Sequence, residues 1–271
     1  MQNIKRVGLI GWGAIGASIA RIWRERPPLG HTLVGVCVRP AQIARTREEL
    51  PPEVSVCQNL DELLALRPDS VIEAAGHNAI QSGGAKILLQ GCDLYVLSVG
   101  SLANDELRQN LAGACRQGGA QVLIPAGALA GFDGLRALAQ DNLVSVKYTS
   151  TKPPAAWIGT PAAAVFPLDT LTKPTVIFRG NAAEAATQYP KNANLAAAVA
   201  LAGIGLERTQ VELVADPSAS GNTGVVEAAS ASTTLHLKVS GRASANPKTS
   251  AIVGASVLAA LANRTAAVRY V

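Results

Sequence analysis

The opening of the chain constrains its fold most. Val7–Ile10 is a short apolar strand pattern, and Gly11-Trp12-Gly13-Ala14-Ile15-Gly16 follows at once. Ala17, Ile19, Ala20, Ile22 and Trp23 then recur at helical spacing. A GxGxxG hexapeptide alone is a weak signal; between a buried strand and a helix it is a strong one. Gly11 allows the tight turn, Gly13 lets backbone approach a pyrophosphate, and Gly16 lets the helix pack closely on the strand. The first N–H groups of that helix and the positive end of its dipole then face phosphate oxygens. Gly11, Gly13, Ala14, Ile15 and Gly16 are the expected dinucleotide contacts.

Strand and helix patterns alternate from there. Leu33–Val38, Ser70–Ala75, Leu94–Val99 and Gln121–Pro125 read as buried strands. Asp61–Leu66, Ile80–Gln90 (ended by Gly91) and Asp105–Arg116 read as helices. This order predicts a doubly wound parallel sheet with right-handed crossovers. The pattern then changes to period two. Val144, Val146 and Tyr148 alternate with polar residues, as do Val211 with Leu213, and Leu235 with Leu237 and Val239. These are half-buried strands of a mostly antiparallel sheet. Asn194 reads as the N-cap of an Ala-rich helix, Leu195–Ala202. A last apolar helix over Thr249–Leu261 is expected to return to the first domain. The expected division is residues 1–130 with 246–271 as the dinucleotide-binding domain, and 131–245 as an inserted α+β substrate and dimerisation domain.

Composition excludes several function classes. The net charge is +5, but Lys and Arg are scattered, without a basic run or interleaved aromatics, which argues against nucleic acid. A mild positive balance suits dianionic substrates and phosphorylated cofactors. No apolar run approaches the ~20 residues of a membrane helix, and Met1–Arg6 leads directly into a strand pattern rather than a signal peptide. Cys37, Cys57, Cys92 and Cys115 form no CxxC pair, which reads as free thiols in a reducing cytoplasm. No His/Cys/Asp/Glu cluster has metal-ligand spacing, and no GxSxG elbow supports hydrolase chemistry.

Individual residues sharpen the cofactor reading. The second strand ends Cys37-Val38-Arg39, where an NAD-preferring site has Asp or Glu. Arg39 either pairs with a 2′-phosphate, favouring NADP, or is a solvated charge and both NAD and NADP bind. His77 follows Ala75-Gly76 at a strand end, where open parallel sheets place their sites; it is either an acid or a loop neighbour of the cofactor. Ser98 and Ser101 are placed near the nicotinamide, and Glu73, inside an apolar strand, reads as a satisfied structural carboxylate. His236 sits on the polar face of a strand and His31 in a loop.

Seven segments together resemble the L-aspartate dehydrogenase family. They are GWGAIG (11–16), SVGSLAN (98–104), PAGALAGFDGL (125–135), TKPPAAW (151–157), YPKNANLAAAVALAGIGLERT (189–209), VADPSASGN (214–222) and NPKTSA (246–251). The resemblance implies a Rossmann domain, an inserted substrate domain, a homodimer, and NAD- or NADP-linked oxidation of aspartate to iminosuccinate. It implies nicotinamide-side contacts from Ala128 and Asn194. The family's Asn-x-His element, whose His is its catalytic residue, reads Asn222-Thr223-Gly224 here. A serine of the family is likewise Ala126.

Gly224 changes the expected chemistry. Amine oxidation needs the ammonium deprotonated, and imine hydrolysis needs an activated water; imidazole suits both. Losing a general acid or base costs ~10²–10⁴ in rate. The expectation is therefore an impaired or altered aspartate dehydrogenase, with a reductase for other imines or a non-catalytic dinucleotide-binding protein as alternatives. Absence of the imidazole is also expected to leave room for a bulkier amine. A substrate with two carboxylates needs cations or N–H groups for each. Lys152, held by Pro153-Pro154, and Lys191, beside Asn192, are the expected anion-binding group. Lys152 is also a possible proton donor, and Lys248 reads as a solvated charge.

Overall fold

The computed structural model describes residues 4–242, 250 and 252–270. The chain divides into two compact units, Met1–Pro125 with Gly254–Val271, and Ala126–Val253.

In the first unit, six strands form one parallel sheet. They are β1 (Lys5–Ile10), β2 (His31–Cys37), β3 (Ser55–Cys57), β4 (Ser70–Glu73), β5 (Asp93–Val96) and β6 (Val122–Leu123), in the order β3-β2-β1-β4-β5-β6. Five helices connect them: α1 (Ala14–Glu25), α2 (Ile43–Glu49), α3 (Leu60–Ala65), α4 (His77–Leu89) and α5 (Asp105–Gly118). Helices on both faces explain why β4 is buried at all four positions. Ile19 and Trp23 of α1 share a core with Val7, Leu9 and Val36 of the sheet and with Val257, Leu258 and Leu261 of the closing helix Ile252–Thr265. The order of strands reverses between β1 and β4, so Ile10 is in register with Cys37 on one side and Glu73 on the other. Ligands of open parallel sheets bind in the crevice at such a switch point.

Two strands end earlier than their apolar runs. β4 stops at Glu73 and β5 at Val96, because the amides of Ala75 and Gly76 on one side and of Leu97 and Ser98 on the other turn inward to the Glu73 carboxylate. Residues Val99–Ala103 form a 3₁₀ turn rather than strand. The short β3 and α2 lack the periodicity that marks longer elements. Gly91, at φ +74°, lies just past the end of α4 as its position predicts. Asn104 caps α5 by accepting the Leu107 N–H.

The second unit carries a five-stranded mixed sheet. Its strands are β7 (Ser145–Lys152), β8 (Thr175–Asn181), β9 (Gln210–Ala215), β10 (Thr223–Ala229) and β11 (Thr234–Ser240), in the order β11-β10-β7-β9-β8. Three pairings are antiparallel and one, β7 with β9, is parallel. A parallel pair needs a long crossover; here it runs through β8 and through α7 (Ala162–Val165), α8 (Ala182–Gln188) and α9 (Asn194–Ala202). Before the sheet lies α6 (Phe132–Gln140). One face is buried: Val146, Tyr148, Ser150 and Lys152 of β7, Val211, Leu213 and Ala215 of β9, and Gly224, Val226 and Ala228 of β10. His236 and Lys238 of β11 are exposed, as alternation predicts. Ala196–Ala200 of α9 are all buried, so a small-residue helix replaces the bulk that aromatic residues would supply.

The predicted N-cap at Asn194 is corrected by one position. Asn194 is the first helical residue, and Ala193, which has no capping side chain, precedes it. Of the last helix, the described residues begin at Ile252; Thr249 and Lys248 lie outside the described residues. Among the described residues, no helix is long and apolar enough to cross a membrane.

Candidate active site

The glycine turn of the first unit has the geometry that its sequence demands. Gly11 adopts φ +101°, and a Cβ there would stand 2.5 Å from the Ala74 carbonyl oxygen. Its N–H donates to the Cys37 carbonyl at 2.9 Å. A Cβ at Gly16 would run into the Gly11 carbonyl, whereas one at Gly13 would meet nothing within 4 Å. Gly11 and Gly16 therefore close the turn, and Gly13 leaves the open side that a phosphate can approach. No side chain caps α1, and no acid stands in its first turn. Ala14 and Ile15 open that helix. These residues fit a dinucleotide.

Arg39 is exposed just beyond β2, and its Nε donates to Gln42 Oε1 at 3.4 Å. Gln42 Nε2 in turn donates to the Trp12 carbonyl at 3.3 Å. A chain of polar contacts thus joins Arg39 to the glycine turn. His77, half-buried, opens α4 directly after Gly76, whose φ is +107°. Ser98 and Ser101 are buried: Ser98 Oγ donates to Glu73, and Ser101 Oγ donates to the Ser98 carbonyl. Both hydroxyls serve the loop's own structure.

In the second unit, β7 delivers Lys152 to the end of the buried face. Only 7% of Lys152 is exposed, and its Nζ donates to Asn192 Oδ1 at 3.0 Å. The same Nζ lies 5.2 Å from the centre of the Trp157 ring. Trp157 is fully buried, donates Nε1–H to the Val214 carbonyl, and meets Tyr189 edge to face at 6.3 Å. Burial pushes the Lys152 ammonium down to about 8, because charge is penalised away from water. Lys191, expected beside it, is exposed instead, while Asn192 is the partner that Lys152 engages. Asn194 follows two residues on at the start of α9. Ala128 is half-buried in a turn closed by the Leu129 N–H to the Ala126 carbonyl.

Comparison with known proteins gives this geometry a family. Residues 133–264 match the model "Aspartate dehydrogenase, C-terminal", and residues 11–125 match "Homoserine dehydrogenase, NAD binding domain". An L-aspartate dehydrogenase of Cupriavidus necator is 42% identical, over 97% of this chain and 98% of that one. One from Pseudomonas aeruginosa is 41% identical, over 96% and 97%. The chain belongs to the L-aspartate dehydrogenase family. The crystal structure of the aspartate dehydrogenase of Thermotoga maritima shares the fold, with a TM-score of 0.75 at 22% identity over 98% of this chain and 99% of that one.

Gly224 is the position that the resemblance assigns to the family's histidine. Gly224 is buried in β10, in register with Ser150 of β7. A Cβ there would stand 3.2 Å from Leu129 Cδ1 and 3.3 Å from both Cε2 and Oη of Tyr148. The expected room for a bulkier amine is therefore corrected: the phenol and a leucine methyl already fill the space beside Gly224. Tyr148 is wholly buried, its hydroxyl pairs with that of Ser150, and desolvation pushes it up to about 12. Sequence reasoning missed Tyr148, Ser150 and Trp157. The available signal was the period of two on β7, which puts Tyr148, Ser150 and Lys152 on one face.

Proposed function

We propose that this chain is an NAD(P)-dependent L-aspartate dehydrogenase in which Lys152 does the proton work that an imidazole does elsewhere in the family. The observation that carries the reading is the buried Lys152 ammonium on Asn192, held near a pKa of 8 two residues along β7 from the partner of Gly224. A nicotinamide bound here would supply the acceptor for the hydride of the substrate α-carbon. Neutral Lys152 first takes one proton from the substrate ammonium, so that the nitrogen lone pair can form the C=N bond as hydride leaves. Water then adds to the iminosuccinate carbon, and loss of ammonia leaves oxaloacetate. Reductive amination runs the same steps backward, with protonated Lys152 returning the proton. Asn192 fixes the direction of the ammonium, and Trp157 excludes water from its flank. Lys191, exposed, is the substrate-carboxylate candidate on the same turn.

Gly11, Gly13, Ala14, Ile15 and Gly16 would hold the pyrophosphate. Ala128 and Asn194 serve the nicotinamide half, as the resemblance implies. Arg39, tied to the turn through Gln42, pairs with a 2′-phosphate, so NADP is preferred over NAD. His77 is a neighbour of the dinucleotide turn without a proton step. The lysine replaces imidazole incompletely, so the rate is lower than the family norm. The working molecule is a homodimer, a reading supported by the resemblance, and it is cytoplasmic, a reading supported by four free thiols.

Consumption of NADPH and NADH with oxaloacetate and ammonium tests the reading, followed by cyclic and secondary imines. Turnover with oxaloacetate supports it. Turnover of other imines alone would make the protein an imine reductase, and binding without any turnover a non-catalytic dinucleotide-binding protein.

A further inference from the structure

The fully buried carboxylate of Glu73, at the end of β4, gathers five donors. Its Oε1 accepts the N–H groups of Ala75 and Gly76, each at 2.7 Å, and the Ser98 hydroxyl at 2.9 Å. Its Oε2 accepts the N–H of Ser98 at 3.0 Å and of Leu97 at 3.3 Å. The donors belong to two segments, residues 74–76 after β4 and 97–98 after β5. Glu73 is also in register with Ile10 of β1 and with Val96 of β5, so it stands beside the switch point of the sheet.

The first of those segments is the floor of the glycine turn. Ala74 N–H donates to the Ile10 carbonyl at 2.8 Å. The absent Cβ of Gly11 would lie 2.5 Å from the Ala74 carbonyl oxygen and 3.1 Å from the Ala75 Cα. A shift of 74–76 therefore moves the surface on which Gly11 rests. Both carboxylate oxygens are acceptors, which a buried glutamine cannot reproduce: its NH₂ would face donors.

We infer that Glu73 is a positioning residue for the dinucleotide. Its carboxylate clamps the two loops so that the glycine turn is set before the cofactor arrives. The inference rests on the dinucleotide reading of that turn. It also explains why Ser98 and Ser101 face inward: one hydroxyl completes the clamp, and the other fixes the Ser98 carbonyl at 2.8 Å.

Nicotinamide fluorescence titrations with NADH and NADPH test this on the full-length protein, for wild type, Glu73→Gln and Ser98→Ala, each well below its melting temperature. Glu73→Gln leaves buried donors unsatisfied, and the Kd of both dinucleotides is expected to rise about tenfold. Ser98→Ala removes one bond and is expected to raise it about two- to threefold. At saturating dinucleotide, kcat should change less than about threefold, so that the defect lies in the dinucleotide KM. A variant that melts earlier but keeps the wild-type Kd overturns the inference, because a merely structural carboxylate predicts that result. Where Glu73→Gln does not fold, Ser98→Ala decides: an unchanged Kd overturns the clamp and a raised one supports it. Failure of the wild type to bind either dinucleotide removes the cofactor reading first, and the clamp with it.

Discussion

Replacing Lys152 by methionine keeps length and bulk and removes the titrating group together with its hydrogen bond to Asn192. The structure sets the size of the effect. An ordinary lysine, near 10.5, has about 0.03% of its amine neutral at pH 7, whereas one near 8 has about 9%. Burial thus raises the base-competent fraction about 300-fold at that pH. Between pH 7 and 9 the neutral fraction climbs from about 9% to about 91%, so a step that needs it should gain about tenfold. The assay follows formation of reduced dinucleotide from L-aspartate between pH 6 and 10, for wild type and Lys152→Met. Ionisation of the substrate ammonium affects both proteins alike and cancels in the ratio of their kcat/KM values. That ratio should be ~10²–10⁴ on its plateau and should fall tenfold per pH unit below about 8. A ratio that stays flat with pH, or one that bends near 6.5 where imidazole titrates, would refute the assignment of Lys152 as the base.

Three further outcomes follow from the same geometry. Lys152 is neutralised more easily folded than unfolded, so its own contribution to stability rises with pH between about pH 8 and 10.5. That contribution is roughly 3 kcal/mol across the window; the raised thiols of Cys57 and Cys92 pull the other way in both proteins, so urea unfolding at pH 7 and pH 10 should show it as a rise of wild-type stability relative to Lys152→Met. Gly224→His should destabilise by about 1–3 kcal/mol, since even its Cβ crowds Leu129 and Tyr148. Adding Tyr148→Phe removes the Oη contact, so the double variant should oxidise aspartate faster than either single one, and parity among them would discard the packing argument. Arg39→Ala should raise the Kd for NADPH about tenfold while leaving that for NADH within about twofold; equal changes would show that Arg39 does not read the 2′-phosphate.

The parts of this molecule that were legible in sequence are those with a period or a fixed spacing. The strand–glycine–helix opening could be read directly, because its spacing is fixed within six residues: Gly16 closes on the Gly11 carbonyl and Gly13 stays open, whereas the floor under Gly11, the Ala74 carbonyl, could not be read from that spacing. The parallel β7–β9 pair was not legible, since alternation reports which face is wet but not which neighbour a strand chooses. The ends of β4 and β5 were misplaced for a related reason. Apolar runs continue past Glu73 and Val96, but a buried carboxylate captures the next amides, and that capture needs Ser98, which is 25 residues away in sequence.

Position 224 shows how far a missing residue can be read. From sequence, glycine in place of histidine is an absence, and the natural inference is an empty space. In the fold, the same position lies on a buried sheet face whose neighbours are already in contact, so packing fills what chemistry has lost. On the proposed reading the absence leaves a demand for a base, and β7 offers Lys152 on the same face. Tyr148 is pushed upward by burial and Lys152 downward, so the same dry environment that keeps the phenol protonated brings the amine toward neutrality. A single physical cause, desolvation, therefore separates the two groups and leaves Lys152 as the member of the pair able to accept a proton near pH 8.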